Sequence, residues 1–363
     1  MRIAILGSRG IPNAYGGFEQ YAEQLSRFLA DHGCEVHVYC SSAHPYKESM
    51  LGKVHLKHIY DPEWMGTAGQ FVYDYNCIRD AQKGDYDIIY QLGYTSSAVF
   101  NRMMPAGARL ITNMDGMEWQ RSKYSPMVQR FLKWSESLVV KRSDYLIADA
   151  IPIQEYIRKR YRAEAYYSAY TSTIPPKADQ TSLAAYGLVP KQYSLLIARM
   201  EPENNIEPIL EAYAASAQTE PLIVVGNTNN HFGTHLVKKF NTPAIRFVGA
   251  VYDKPLLDTL RQCSAYYFHG HSVGGTNPSL LQAMATRCSI IAHDNVYNKS
   301  VLRDNALFFV GTDELKEILL NIHLQRSFFA TANAHNIATI KKHYSEAAVF
   351  QPLLHFFQSV LNP

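Results

Sequence analysis

The chain has 363 residues, enough for two domains of ordinary size with a core each. Apolar residues make up 47% and charged residues 18%, which excludes an extended disordered chain, and a net charge of +3 gives no argument for a nucleic-acid partner. No apolar run approaches bilayer length, MRIAILG at the start reads as a first strand and not as a cleaved signal, and five scattered cysteines (Cys34, Cys40, Cys77, Cys263, Cys288) with no CxxC pair fit a reducing cytosol and neither a disulfide framework nor a zinc site.

In chain order, Arg2 to Leu6 is a short apolar strand that runs at once into GSRGIPNAYGGFEQ. The glycines there do not fit GxGxxG, so a dinucleotide fingerprint is absent. Phe18, Tyr21, Ala22, Leu25, Phe28 and Leu29 then keep helical spacing, Gly33 ends the pattern, and Glu35 to Cys40 alternates as a second strand. Strand, glycine loop, helix and strand make a Rossmann-type opening. Gly16 and Gly17 at the helix start form either an anion site or a turn that needs glycine. YDIIYQL (86 to 92) and RLITN (109 to 113) read as buried parallel strands. Asp85 and Asp87 form a DxD, but it precedes its strand and faces the wrong end of a sheet, so it reads as a solvated strand start. Asp115 and Glu118, in NMDGMEWQRSKY, fall at a strand's carboxyl end, where a general base or a hydroxyl-binding carboxylate could serve; the plainer alternative is a helix-start acid. Trp119, Arg121 and Lys123 crowd the same few residues, which favours the functional reading.

Between Arg102 and Arg142 eight Lys/Arg face three acids, with Met127, Phe131, Leu132 and Trp134 interleaved, and Arg158, Lys159, Arg160 and Arg162 add a second cluster. The pattern fits a surface that docks on anionic lipid, or simply a wet helix face. DYLIADA (144 to 150) reads as a further strand. The Pro/Ser/Thr-rich stretch 171 to 182 reads as an interdomain linker. A second strand–helix series follows: YSLLIAR (193 to 199), a helix from about Ile206, PLIVVGN (221 to 227), AIRFVGAV (244 to 251), and a helix near Lys254 to Cys263. It leads to YYFHGHSVGGTNPSLLQAMAT (266 to 286), in which an apolar run meets a glycine loop and then a helix with Asn277 at the N-cap and Pro278 at its first position. Such a stretch is either a diphosphate cradle or an ordinary turn between strand and helix. Residues 344 to 361 look helical and amphipathic, with Pro352 as a site of kinking or splitting. The expected architecture is α/β: two Rossmann-like doubly wound domains facing a cleft, with a C-terminal helix crossing back to the first. No GxSxG elbow, HExxH or Walker motif is present.

Taken together, GSRGIPNAYGGFEQ, NMDGMEWQRSKY, ARMEPENNIEPIL, VGNTNN, FVGAVYD and GHSVGGTNPSLLQAMA resemble, in this order and over nearly the whole chain, bacterial rhamnosyltransferases of the retaining GT-B-fold glycosyltransferase family 4 type. The resemblance implies an N-terminal acceptor-side domain (1–180), a C-terminal nucleotide-sugar-binding domain (181–340) and a returning helix (341–363). It implies a nucleotide-sugar donor, dTDP-L-rhamnose, with no cofactor and no required metal. The implied acceptor is a polyprenyl-diphosphate-linked saccharide of a surface polysaccharide such as capsule or O-antigen, met at the cytoplasmic face of the membrane by a peripheral enzyme. Nucleic acid is not an implied partner.

Residue by residue, the resemblance makes Arg199 the partner of the donor diphosphate. Gly274, Gly275, Thr276 and Asn277 form the loop whose amides hold that diphosphate. Gly226, Asn227, Phe247, Val248, Gly249 and His271 line the donor site, and Gly16 and Gly17 close on it from the first domain. Asp115 and Glu118 handle sugar hydroxyls. Two departures stand out. Asn204 replaces a lysine usual five residues after the arginine, and Gln282 replaces a glutamate that accepts from nucleoside hydroxyls, leaving weaker neutral bonds there. Two other readings stay open at this point: a nucleotide-sugar epimerase of the same shape, and a nucleotide-sugar-binding protein with a degenerate site.

Overall fold

The computed structural model describes residues 1–14, 16–216 and 218–362. The chain forms two compact α/β units. The first comprises Met1–Gln120, Tyr124–Thr171 and the C-terminal stretch from Glu346; the second comprises Ser172–Ser345 together with Arg121–Lys123.

The first unit is built on eight strands: β1 (Arg2–Leu6), β2 (Glu35–Ser41), β3 (Met50–Leu51), β4 (Val54–Ile59), β5 (Ile88–Leu92), β6 (Arg109–Asn113), β7 (Tyr145–Ala148) and β8 (Ala165–Tyr167). They lie in the order β3-β4-β2-β1-β5-β6-β7-β8, parallel apart from the short β3 against β4. The central strands are buried along most of their length because helices cover both faces, and they are mainly apolar, with Gln91, Thr112 and Asn113 as buried polar exceptions. The chain winds outward through β2 and β4, then reverses to β5. That reversal sets the loops after β1 and β5 side by side at the carboxyl edge, the place where open α/β sheets hold ligands. The approach is tight: Gly7 has φ +90, and a Cβ there would meet the Leu92 carbonyl oxygen at 2.1 Å. At the opposite edge, Asp87 Oδ2 accepts the Arg2 amide at 2.7 Å, so the DxD pins the start of a strand as the sequence implies.

Helix Gly17–Asp31 buries Tyr21, Ala22, Leu25 and Leu29 on this sheet. The C-terminal helix Glu346–Leu361 packs beside it, with Phe350 edge-on to Tyr21 (centroids 5.8 Å apart) and Phe357 edge-on to Tyr90 (5.4 Å). It runs unbroken through Pro352. A mid-helix proline costs about 3 kcal/mol, but Pro352 points outward while Phe350, Leu353, Leu354 and Phe357 are buried on the inner face. Burying those four large side chains outweighs one lost backbone bond. The return to the first unit starts at Glu346; residues 341–345 stay with the second.

The second unit carries six parallel strands: β9 (Ser194–Ile197), β10 (Leu222–Val225), β11 (Ile245–Gly249), β12 (Tyr267–His269), β13 (Ile290–His293) and β14 (Leu307–Phe309). Their order, β11-β10-β9-β12-β13-β14, is that of the dinucleotide-binding fold, with its switch point between β9 and β12. Leu196, Ile209, Leu222, Val224, Phe268, Ile291 and Phe309 form the core on one face. Residues 171–182, expected as an interdomain linker, span the boundary between the units at Thr171 and Ser172 and are held by hydrogen bonds at Pro176 and Ala178. The Ala178 amide donates to Gln262 Oε1 (3.0 Å), Gln262 Nε2 donates to the Pro176 carbonyl (2.8 Å), and Asp179 caps a short 3-10 turn at Gln180–Tyr186. Among the described residues no helix is long and apolar enough to cross a membrane.

Candidate functional site

The two loops that flank the second unit's switch point carry most of the residues singled out in the sequence. After β9 the chain enters Arg199 and a 3-10 turn at Pro202–Asn204; after β12 it enters the glycine loop and helix Pro278–Ala285. Side chains stitch the two loops together. Asn204 Nδ2 donates to the Arg199 carbonyl (2.7 Å), and its Oδ1 meets His271 Nδ1 at 2.6 Å. Asn205 Nδ2 donates to the Gly270 carbonyl (2.7 Å), and Ser272 Oγ donates to the Glu203 carbonyl (2.7 Å). The backbones press so close that a Cβ at Gly270 would lie 2.0 Å from the Asn204 carbonyl oxygen. Asn204 is therefore a buried strut that fixes both loops, a role a charged lysine could not take at this depth without a carboxylate partner.

The glycine loop has the local form the sequence implies. Asn277 is the N-cap, its Oδ1 accepting the Ser279 amide at 2.8 Å, with Pro278 at the first helical position. The Leu280 and Leu281 amides turn back on the Asn277 carbonyl, so this helix's own first amides are already spoken for. The amides of Gly275 and Asn277, by contrast, donate to no other described residue. An anion held here would be held by the loop ahead of the cap. Gly274, at φ +134 with a virtual Cβ 3.0 Å from His271 Nε2, takes a conformation that strains any other residue. Arg199 is exposed, and its guanidinium makes no hydrogen bond or ion pair with another described residue. Gln282 lies one helical turn past the cap, half-buried.

On the other side of β9, Gly226, Asn227 and Gly249 follow β10 and β11. The Gly226 amide donates to the Gly249 carbonyl (2.9 Å), a Cβ on Gly226 would strike the Ala198 carbonyl oxygen at 2.2 Å, and Asn227 Oδ1 closes a turn on the Asn229 amide (2.9 Å). Phe247 and Val248 are half-buried on the last turn of β11. Arg199, Asn204, Gly226, Asn227, Phe247, Val248, Gly249, His271, Gly274, Gly275, Thr276, Asn277 and Gln282 thus share the carboxyl edge of one sheet.

Gly16, Gly17, Asp115 and Glu118 belong to the first unit. Gly16 is an extended N-cap at φ −173, and the carboxylate of Glu19 lies at the same helix start, accepting the Arg9 amide at 2.8 Å. An acid of the chain itself thus complements that helix dipole. Asp115 takes a left-handed φ of 49, rare for a residue with a side chain, and Glu118 opens a 3-10 turn at Glu118–Gln120. Beneath them lies a feature the sequence reading passed over. Glu136, buried in helix Pro126–Arg142, accepts from Tyr94 (3.1 Å), Trp119 Nε1 (3.1 Å), Tyr156 (2.7 Å) and Tyr161 (2.6 Å). The signal was faint: one acid inside an otherwise basic, apolar helix.

Arg121 and Lys123, read from sequence as part of a basic surface, instead lie with the second unit. Arg121 Nη1 is 3.6 Å from Glu203 Oε1, whose side chain is 2% exposed, and Lys123 Nζ is 3.7 Å from Glu201. The charge of Arg121 affects His271, whose pKa is pushed down to about 3 first by burial and then by the Arg121 and Arg199 guanidiniums. His271 is therefore neutral at physiological pH. Unfolding restores an ordinary value near 6.5, so the stabilisation is complete above that pH and is lost as pH falls from there towards about 3. The stability gap between wild type and His271→Asn should accordingly narrow on acidification from pH 6 to pH 4, by about 1 kcal/mol per pH unit. Urea titrations at three pH values would check this, and a gap constant with pH would contradict it.

Two family models match the sequence: "Glycosyl transferases group 1" over residues 184–325, and "Domain of unknown function (DUF1972)" over residues 1–173. No curated protein matches it. Among solved structures, sucrose-phosphate synthase from Thermosynechococcus elongatus is similar at TM-score 0.84 and 15% identity, with 99% of each chain covered. Anabaena HepE in complex with UDP-glucose is similar at TM-score 0.76 and 14% identity, again over 99% of each chain. A glycosyltransferase from Rickettsia africae is similar at TM-score 0.71 and 12% identity, over 99% of this chain and 98% of that one. Two parallel-sheet units with these likenesses define a GT-B fold, in which residues 184–325 match the glycosyl transferases group 1 and residues 1–173 match DUF1972.

Proposed function

We propose that the chain transfers a sugar, L-rhamnose from dTDP-L-rhamnose, to a polyprenyl-diphosphate-linked saccharide at the inner face of a bacterial membrane, in the synthesis of a surface polysaccharide such as capsule or O-antigen. The observation that carries this reading is the switch point of the second unit, where exposed Arg199 and the loop amides of Gly275 and Asn277 sit on adjacent strand ends. A guanidinium and main-chain N–H groups suit a diphosphate. That HepE is described in complex with UDP-glucose supports a nucleotide-sugar donor.

Cleaving the sugar–phosphate bond leaves negative charge on the departing diphosphate, and preorganised donors stabilise it without reorganising. Arg199 and the loop amides take that role, with no metal invoked. Asn204 supplies no charge; it sets the positions of the two loops. Neutral His271 adds none either; its Nδ1 meets Asn204 Oδ1 and so helps tie the two loops together. The reaction proceeds with retention: the acceptor hydroxyl enters on the face the diphosphate leaves, its oxygen forms the new glycosidic bond as the sugar–phosphate bond breaks, and its proton passes to the departing diphosphate oxygen. Asp115 and Glu118 bind hydroxyls of the acceptor. The experiment is to incubate dTDP-L-rhamnose and UDP-sugars separately with polyprenyl-diphosphate saccharides and follow product mass. Transfer from the dTDP donor alone supports the reading. Transfer from a UDP-sugar alone replaces the donor, donor consumption without acceptor favours the epimerase, and donor binding with no product favours the degenerate-site reading.

Membrane contact would be made by helix Pro126–Arg142, where Met127 is 79% and Trp134 49% exposed beside Arg130, Lys141 and Arg142. Apolar side chains among basic ones fit an anionic bilayer surface. The double substitution Met127→Asp and Trp134→Ala should weaken binding to phosphatidylglycerol vesicles about tenfold or more. Co-sedimentation unchanged by the substitution, or equal on neutral vesicles, would remove this surface from the proposal.

A further inference from the structure

The first sheet also presents a ligand-like cluster at its amino edge, the end away from the loops after β1 and β5. Glu35 and His37 stand two residues apart on β2 and so share a face, and His55 on β4 is the register partner of His37. Their ligand atoms all lie within 4.8 Å of one another. Glu35 Oε1 and His37 Nε2 already converge at 2.8 Å. His37 is nine-tenths buried. Glu35 is exposed and His55 half-exposed, which leaves a path in from solvent.

We propose that Glu35, His37 and His55 form a site for a divalent transition-metal ion, with Zn²⁺ as its best fit. Two imidazoles and one carboxylate are a ligand set that zinc takes with an open position for water. Three features of the geometry set the strength of the site. The two rings now stack nearly parallel, with centroids 4.7 Å apart, so His55 turns about its outer torsion to bring its lone pair to the ion. Arg2 Nε holds Glu35 Oε1 at 2.9 Å and competes for the carboxylate. His37 Nδ1 is buried without a hydrogen-bond partner, and a ligating histidine that lacks that support loses about 10–100-fold in affinity. The site is therefore of micromolar strength. The ion would clip β2 to β4, and it is separate from the sugar-transfer chemistry proposed above.

The test is competition between the untagged full chain and a chromophoric chelator for Zn²⁺, with Co²⁺ absorption reporting the coordination geometry. Wild type should bind one Zn²⁺ at this strength. His55→Ala, a half-exposed position that does not threaten the core, should weaken binding at least tenfold. Arg2→Gln, which frees the carboxylate, should tighten binding severalfold. Binding unchanged in His55→Ala, or absent in both wild type and Arg2→Gln, would overturn the site. None of these readouts involves a sugar donor, so the result stands apart from that of the transferase assay.

Discussion

Arg199→Ala should weaken binding of a nucleoside diphosphate by about 10–100-fold, the loss expected when a charge-assisted hydrogen bond worth about 1.5–3 kcal/mol is removed. The side chain is exposed and has no hydrogen-bonded or ion-paired partner among the described residues, so its removal strands no buried group among them and should leave the melting temperature almost unchanged. Affinity would fall while stability holds, which separates a ligand-binding arginine from a structural one. Arg199→Lys should recover only part of the affinity, because a point charge cannot make the paired contacts of a guanidinium fork. Calorimetry with dTDP and UDP would measure both substitutions. Unaltered affinity in Arg199→Ala would move the diphosphate away from this switch point. Asn204→Lys gives the complementary result. The strut between the Arg199 carbonyl and His271 is lost and a cation is buried in its place, so the variant should be less stable even though it restores the charge the resemblance expects.

Where local chemistry dictates local shape, the sequence was readable. Asn277-Pro278 gave the start of its helix, RLITN gave β6 residue for residue, and the helix predicted near Lys254 to Cys263 forms over that span. The fold class followed from strands alternating with helices. What escaped was what sequence spacing does not encode. Strand β4, VHLKHI, is half-polar and pairs with β2 near the sheet's edge, so it carries no apolar run; β8 and β14 are three residues each, too short to show a period. Asn204 looked like a lost charge because its two partners, the Arg199 carbonyl and His271, are brought together only by the pairing of β9 with β12. Arg121 looked like surface because Glu203, its ionic partner, is eighty-two residues away. Both cases turn on long-range partners, and both involve polar groups that burial forces to pair.

Glu136→Leu should strongly destabilise the first unit. The carboxylate is 2% exposed and is compensated by four neutral donors: the hydroxyls of Tyr94, Tyr156 and Tyr161 and the indole of Trp119. Several hydrogen bonds to one buried charge offset its desolvation, and no cation is then needed. The leucine would strand those donors, each at a cost of about 1–3 kcal/mol where it cannot turn to water. The total, about 5 kcal/mol, approaches the whole stability of an ordinary domain. Glu136→Gln is the milder case. Its carbonyl oxygen still accepts, and its amide can donate to a tyrosine hydroxyl that reverses its role, so about 1–3 kcal/mol is expected. The same network supports the loop that carries Asp115 and Glu118, because Trp119 follows Glu118 directly and is held from two sides, by Glu136 and by Lys133 at 4.4 Å from its ring centre. In the glutamine variant, acceptor KM should therefore rise while dTDP affinity, which depends on the second unit, stays as it was. Urea unfolding and calorimetry on the two variants decide the matter. A leucine variant within 1 kcal/mol of wild type would mean that the four donors find other acceptors, and that Glu136 does not hold the loop.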